Sequence, residues 1–442
     1  MSVNFLKARL IVFSLVTLVC LQCCTSSSSK DQNAIQQEYF IVIPDIHTNS
    51  APFVIPMDFT PDGPGEDLIN NTDTLSLNEI SQQLQEFVQA QPAPPEFVIF
   101  LGDMVRNGDD DDPPARLSDE TSAFSFLKAT FPNIPIFYVY GNHDSVQEVW
   151  GPFYSTTPGS GPNSPYEVAE LNGWSNGFLS TGETCDSNQP FAGPCIIDEH
   201  THIGFYSAYL KPNLRLIALN TAILDVQALH PSTNDINTQF EWFNAQLSEA
   251  AANKELVIIA MHVPVGNNLD SHKPNLEPSY NTQLLQIISN YRSNVIGMLA
   301  AHTHMDSMRV FTQSSKNVNF LINPAAISSH SGNAPSFQTV SFYNNQQFFT
   351  DAWTITDYET FKFVQTQDNE NQQVGIESVY KFSDYYCNGA ATSIMDCLGN
   401  ITADKMSFFH TADNPNYSLP ISHPQNIFIE LPPPQAGSLM HE

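Results

Sequence analysis

Short apolar runs alternate along this chain with longer stretches in which apolar residues recur every three or four positions. Residues 39–43 (YFIVI), 97–101 (FVIFL), 136–140 (IFYVY), 214–219 (LRLIAL), 256–261 (LVIIAM) and 295–300 (VIGMLA) are short, aliphatic or aromatic, and bounded by turn residues. Strands buried on both faces read this way. Residues 75–88, 117–131, 238–252 and 280–291 carry the helical spacing instead. Later runs at 318–322, 338–343 and 352–356 follow one another without helices between them and predict a second set of strands. Alternating strands and helices predict an α/β layered fold whose working loops leave the carboxyl ends of the strands. The Asp109–Asp112 run with Pro113 and Pro114, and residues 151–165, read as surface loops.

Chemistry gathers at those carboxyl ends. Pro44-Asp45-Ile46-His47 follows the first predicted strand, Gly102-Asp103 the second, and Gly141-Asn142-His143-Asp144 the third. His262 follows the run ending at Met261, and Ala301-His302-Thr303-His304 the run ending at Ala300. Each element alone has an ordinary reading, as a turn aspartate, a tight glycine turn or a hydrogen-bonded core histidine. His200-Thr201-His202 is a decoy of that kind, lying before a strand rather than after one. Taken together, five such elements bring oxygen and imidazole ligands to one edge of a sheet, which is the donor set of a divalent metal site.

In these motifs the chain resembles the calcineurin-like metallophosphoesterase superfamily: D-x-H, G-D, G-N-H-D, a lone His, and a final H-x-H. The connecting sequence, including 204–207 (GFYS), 214–221 (LRLIALNT), 261–266 (MHVPVG) and 301–305 (AHTHM), is similar to acid sphingomyelinases and acid sphingomyelinase-like phosphodiesterases. The resemblance covers roughly residues 39–360. It implies a four-layer α/β/β/α sandwich with a C-terminal extension, divided into a catalytic domain at 39–350 and the extension at 351–442. It implies two divalent metals, zinc before manganese or iron, with Asp45, His47, Asp103 and His304 on one. Asp103 would bridge to the second, completed by Asn142, His262 and His302. Two cations clamp phosphoryl oxygens and turn a bridging water into the attacking hydroxide. His143 would stabilise the transition state or protonate the leaving oxygen, with Asp144 orienting it.

Departures from the family pattern narrow the expectation. Met104 and Val105 follow the G-D motif, where a purple acid phosphatase carries a tyrosine ligand. Acid sphingomyelinases have a histidine four residues after the bridging aspartate; here that position is Asn107, beside Arg106. Arg106 either contacts a substrate phosphate or pairs with the neighbouring aspartates. The stretch ahead of Tyr39 is too short for a saposin-like lipid-binding module. The expected function is therefore a phosphodiesterase for nucleotide-type or other soluble phosphoesters. A phosphomonoesterase, a sphingomyelinase or phospholipase C-type lipid hydrolase, and a non-catalytic binding protein are the alternatives.

Lys7 and Arg9 precede an apolar run at 10–20, then Cys23, Cys24 and a serine tract. This is the pattern of a secretory signal peptide over 1–24 with a linker at 25–38, or of a lipoprotein leader acylated at Cys24. Either predicts an extracellular or periplasmic protein, with membrane contact limited to a lipid anchor or a lipid substrate. Four cysteines then remain, and their spacing predicts disulfides Cys185–Cys195 and Cys387–Cys397 rather than a zinc knuckle. The formal charge of −30, from 16 Lys and Arg against 46 Asp and Glu, excludes wrapping of nucleic acid by a basic surface. A small phosphoester remains compatible, provided that metal ions supply the positive charge.

Overall fold

The two faces of the strand Leu256–Met261 belong to different cores: Ile258 and Ala260 join one apolar cluster, Val257, Ile259 and Met261 another. A strand alternates its side chains by residue, so it needs a layer on each side. That requirement organises the whole molecule. The structure, a computed structural model, describes residues 38–48, 54–56, 74–105, 113–145, 148–154, 162–186, 188–229, 231–328, 335–344, 352–368, 371–399, 401, 406, 408–410 and 418–435.

Along the described chain the strands are β1 (Glu38–Ile43), β2 (Val54–Pro56), β3 (Thr74–Ser76), β4 (Val98–Phe100), β5 (Ile136–Tyr138), β6 (Cys195–His200), β7 (Phe205–Lys211), β8 (Leu214–Leu219) and β9 (Leu256–Met261). They continue with β10 (Val295–Leu299), β11 (Ser307–Gln313), β12 (Lys316–Asn323), β13 (Ser336–Asn344), β14 (Trp353–Asp368), β15 (Asn371–Lys381), β16 (Phe408–His410), β17 (Ser418–Pro420) and β18 (Phe428–Glu430). The larger helices are α1 (Leu77–Ala90), α2 (Pro113–Thr130), α3 (Pro165–Leu171), α4 (Thr233–Asn253) and α5 (Pro278–Asn290). Two short ones, α6 (Phe382–Cys387) and α7 (Ile394–Leu398), follow β15.

One sheet has the order β15-β14-β13-β1-β4-β5 and the other β18-β11-β12-β10-β9-β8-β7-β6. One core fills the space between the sheets and reaches α1 and α2 behind the first, through Ile80, Leu84, Phe124 and Leu127. The second core lies between the larger sheet and α4 and α5, through Phe243, Leu247, Leu284 and Ile288. The layers are therefore α/β/β/α. Parallel pairing of β1 with β4 and β4 with β5 levels their carboxyl ends, Ile43 opposite Phe100 and Phe100 opposite Tyr138. Parallel β8, β9 and β10 do the same in the other sheet, with Leu219 opposite Met261 and Ala260 opposite Leu299.

The six strands and four helices expected from periodicity are present, with ends shifted by a few residues. Pro113 and Pro114 differ from the loop expected there: they open α2, where the first turn has no use for backbone N–H donors. Helix α1 starts at a reciprocal cap, Ser76 accepting from the Glu79 N–H while the Glu79 carboxylate accepts from the Ser76 N–H. Beyond residue 350 the chain supplies β14 and β15 to the first sheet and β18 to the second. Cys185 is joined to Cys195, and Cys387 to Cys397. Among the described residues no helix is long and apolar enough to cross a membrane. The leader expected over 1–24 lies outside the described residues.

Candidate metal centre

Asp45, His47, Asp103, His302 and His304 all have positive φ, between 45° and 72°, and none of them is glycine. Left-handed backbone is uncommon for such residues and clusters at functional sites. Backbone hydrogen bonds hold it. Asp45 N–H donates to Gly102 O (3.1 Å) and His47 N–H to Asp103 O (3.0 Å), so the loops after β1 and β4 run side by side. Ser328 N–H donates to Asp45 O (3.0 Å) and Ala326 N–H to His304 O (3.1 Å). The segment after β12 thereby stitches the two sheets' loops together.

All seven expected ligand positions meet here. Asp45, His47, Asp103 and His304 form one group with ligand atoms within 4.8 Å of one another; Asp103, His262 and His302 form a second. Asp103 belongs to both, its Oδ2 lying 3.5 Å from His47 Nε2 and 3.1 Å from His262 Nε2. Asn142 Oδ1 lies 2.9 Å from His262 Nε2 and 3.0 Å from His302 Nδ1. Asp103, Asn142, Asp45 and His262 are almost wholly buried.

The ring hydrogen bonds show that this donor set fits cations. His47 Nδ1 bonds Val105 O (2.9 Å), which places its proton on that nitrogen and leaves a lone pair on Nε2. That lone pair faces His304 Nε2 at 3.1 Å. His262 repeats the arrangement, Nδ1 bonding Leu101 O (2.8 Å) while Nε2 faces two side-chain oxygens. Asp45 Oδ2 is buried and makes no hydrogen bond among the described residues. Lone pairs and carboxylate oxygens converging on the same spaces repel unless positive charge lies between them. The buried Asp103 carboxylate draws positive charge onto a neighbouring ring. Burial pushes His262 down, but the bonded Asp103 carboxylate outweighs it and lifts the imidazole to about 9. Burial also acts to raise Asp103, yet His262, His143 and His47 hold it well below the usual carboxylate range. Four imidazoles, two carboxylates and an amide, with no thiolate, suit Zn, Mn or Fe.

Around the centre the structure places the G-N-H-D residues differently from expectation. Asp144 does not bond the His143 ring. Its carboxylate accepts backbone N–H bonds from Met104 (2.6 Å), Gly141 (2.7 Å) and Asp103 (2.9 Å). It therefore shapes the two ligand loops rather than orienting His143. The His143 ring stands edge-on to His47, 4.8 Å between centroids, and burial pushes it down to about 3, so it is neutral. Its backbone N–H donates to Asp103 Oδ1 (2.8 Å). Arg106, Asn107 and the aspartate run lie outside the described residues.

Sequence reasoning passed over Arg116. From α2 its guanidinium donates to His143 O (2.5 Å) and Ser145 O (2.9 Å), and it is buried. Nothing in the spacing could reveal it, because the bonds go to main chain 27 and 29 residues away. Trp150 was also missed; its indole stands edge-on to His302, 5.5 Å between centroids.

The calcineurin-like phosphoesterase family model matches residues 39–306. A cyclic GMP-AMP phosphodiesterase, SMPDL3A of Mus musculus, is 29% identical over 52% of this chain and 48% of its own length. Sphingomyelinase phosphodiesterase C of Dictyostelium discoideum is 29% identical over 53% and 48%. Sphingomyelin phosphodiesterase 1 of Caenorhabditis elegans is 24% identical over 61% and 43%. The chain thus spans about half the length of the curated relatives it matches. Its five motifs fall inside the matched residues, and the groups that could hold metal lie where two sheets bring their loops together. The chain belongs to the calcineurin-like phosphoesterase family.

Proposed function

We propose that this protein is an exported, dinuclear metal-dependent phosphodiesterase acting on soluble, nucleotide-type phosphoesters. The observation that carries the reading is the pair of ligand groups sharing Asp103, with His143 against one of them. Asp45, His47, Asp103 and His304 would hold one metal; Asp103, Asn142, His262 and His302 the other. The donor set suits Zn, Mn or Fe alike, and the family resemblance puts zinc first. When bound, two such ions supply positive charge for phosphoryl oxygens and acidify water at neutral pH.

The chain's own part is positioning and hydrogen bonding. Asp144 and Arg116 fix the loops that carry Asp103, Asn142 and His143. A neutral His143 donates a ring N–H to oxygen that gains charge as the ester bond breaks, which stabilises the transition state more than the ground state. The two disulfides support export, because thiols stay reduced in most cytosols. The names of the relatives support a diester substrate, and those called sphingomyelin phosphodiesterases keep a lipid substrate as the second reading.

Metal-analysed protein assayed at acid and neutral pH tests this. A bis-aryl phosphate should be hydrolysed faster than a mono-aryl phosphate, with little phosphocholine released from sphingomyelin vesicles. Faster monoester hydrolysis would make it a phosphatase, and dominant phosphocholine release a lipid hydrolase. A metal-loaded protein inert on all three would overturn the enzymatic reading.

A further inference from the structure

Beside the metal centre lies a slot open to solvent, and its lining differs from that of the centre. Trp150, Phe153, Tyr154, Ile223 and Leu229 supply apolar and aromatic surface, and Asp235 supplies one carboxylate. Among the described residues no Lys or Arg lines it, but His202 does, its ring edge-on to Tyr154 at 5.8 Å between centroids. Leu229 on its rim is 42% exposed, an apolar side chain left without cover.

Trp150 links slot and centre. One edge of its environment is the His302 ring, 5.5 Å away at 79°. Its backbone N–H donates to the carbonyl of Asn142 (2.9 Å), and its carbonyl accepts from Leu229 N–H (2.8 Å). Its φ is +63°, which for a bulky residue costs free energy that the surrounding bonds must offset. The indole is thus held at a fixed place relative to two of the ligand residues. Phe153 is held equally firmly, stacked on Tyr140 at 5.1 Å and 10°. Opposite, Tyr154 OH donates to Asp235 Oδ2 (3.3 Å).

We infer that this slot receives an uncharged flat ring, a nucleobase or aryl ester arm, attached to the phosphate held at the metal centre. This rests on the phosphodiesterase reading above. Aromatic faces stack on rings of any identity. The site therefore favours a diester whose second arm is a ring-bearing alcohol. Trp150 sets that preference.

Trp150→Gly tests the inference, because glycine adopts the same φ without strain and the backbone links remain available. Two substrates with the same reporting group are compared: the p-nitrophenyl ester of thymidine monophosphate, and methyl p-nitrophenyl phosphate. The wild type should prefer the thymidine ester, and the ratio of the two kcat/KM values should fall about tenfold in the variant, mainly through KM. An unchanged ratio, with both esters losing equally, would overturn the slot and make Trp150 a support for His302. If the metal-loaded wild type hydrolyses neither ester, the phosphodiesterase reading falls by itself. The slot is then judged by tryptophan fluorescence on titration with thymidine monophosphate against methyl phosphate. Quenching by the nucleotide alone, lost in Trp150→Gly, supports it; the same response to both ligands sinks it.

Discussion

The guanidinium of Arg116 clamps the main-chain carbonyl of His143 at 2.5 Å through Nη2, and takes that of Ser145 at 2.9 Å through the adjacent Nε on the same edge. A rigid fork of donors suits this task, and a point charge does not. Arg116→Met should leave the buried carbonyls without donors, lower stability by roughly 3 kcal/mol, and cut kcat about a hundredfold as His143 shifts. Arg116→Lys should recover stability better than kcat. Denaturant unfolding beside steady-state kinetics checks this; loss of stability with kcat intact would show that the clamp does not serve catalysis.

Asp103 is shared by both ligand groups, so its removal should affect both metals together. Asp103→Ala should bring metal content from two per chain toward none and abolish turnover. His302→Ala, which touches only the second group, should leave roughly one metal bound. Elemental analysis after gel filtration gives the answer directly. An Asp103→Ala protein that keeps two metals and full activity would refute the assignment.

Gly141 lies against Asp103, and a Cβ there would collide with both its backbone nitrogen and Oδ1. Gly141→Ala therefore has to move a shared ligand. Expected are a fall in metal content and a loss of about a hundredfold in kcat. Far-ultraviolet circular dichroism should stay native, since Gly141 follows β5 rather than forming part of it. A fully active alanine variant would show that the two loops yield more easily than their bonding indicates.

Burial pushes Asp225 up to about 7, outweighing the Gln227 N–H and nearby His262, which pull it down. In the unfolded chain the same carboxyl ionises near pH 4. Its contribution to stability is thus fully present below about pH 4 and is lost as pH rises toward 7. Asp225→Asn keeps the oxygen that accepts from Gln227 N–H and removes the charge. It should melt like wild type at pH 4 and several degrees higher at pH 8. A difference independent of pH would exclude this origin.

That the candidate ligands converge was legible because each sits just past a run whose composition marks it as a buried strand. Asp45, Asp103 and Asn142 needed only the chain's local order to be placed at one sheet edge. What escaped was held by contacts distant in sequence. Strand β15 (NQQVGIESVYK) is too polar to announce itself and exists by pairing with β14. Asp144 looked like a partner for the adjacent His143, yet its oxygens face main-chain N–H groups of another loop. Asp306, two residues past the H-x-H motif, is bonded by Thr360, Tyr380 and Gln338 of the other sheet, contacts that no spacing announces. Spacing shows which residues are neighbours along a strand end; it does not show which carbonyls and N–H groups they will face.

Five ligand-bearing residues in left-handed backbone cost roughly 1–3 kcal/mol each. The protein meets that cost through main-chain bonds between loops, independently of any ion. Spacing of the donors is thereby inherited from the sheets, as type is held in a printer's frame. With the loops so held, removing one ion and loading another of similar radius should leave the donor spacing unchanged.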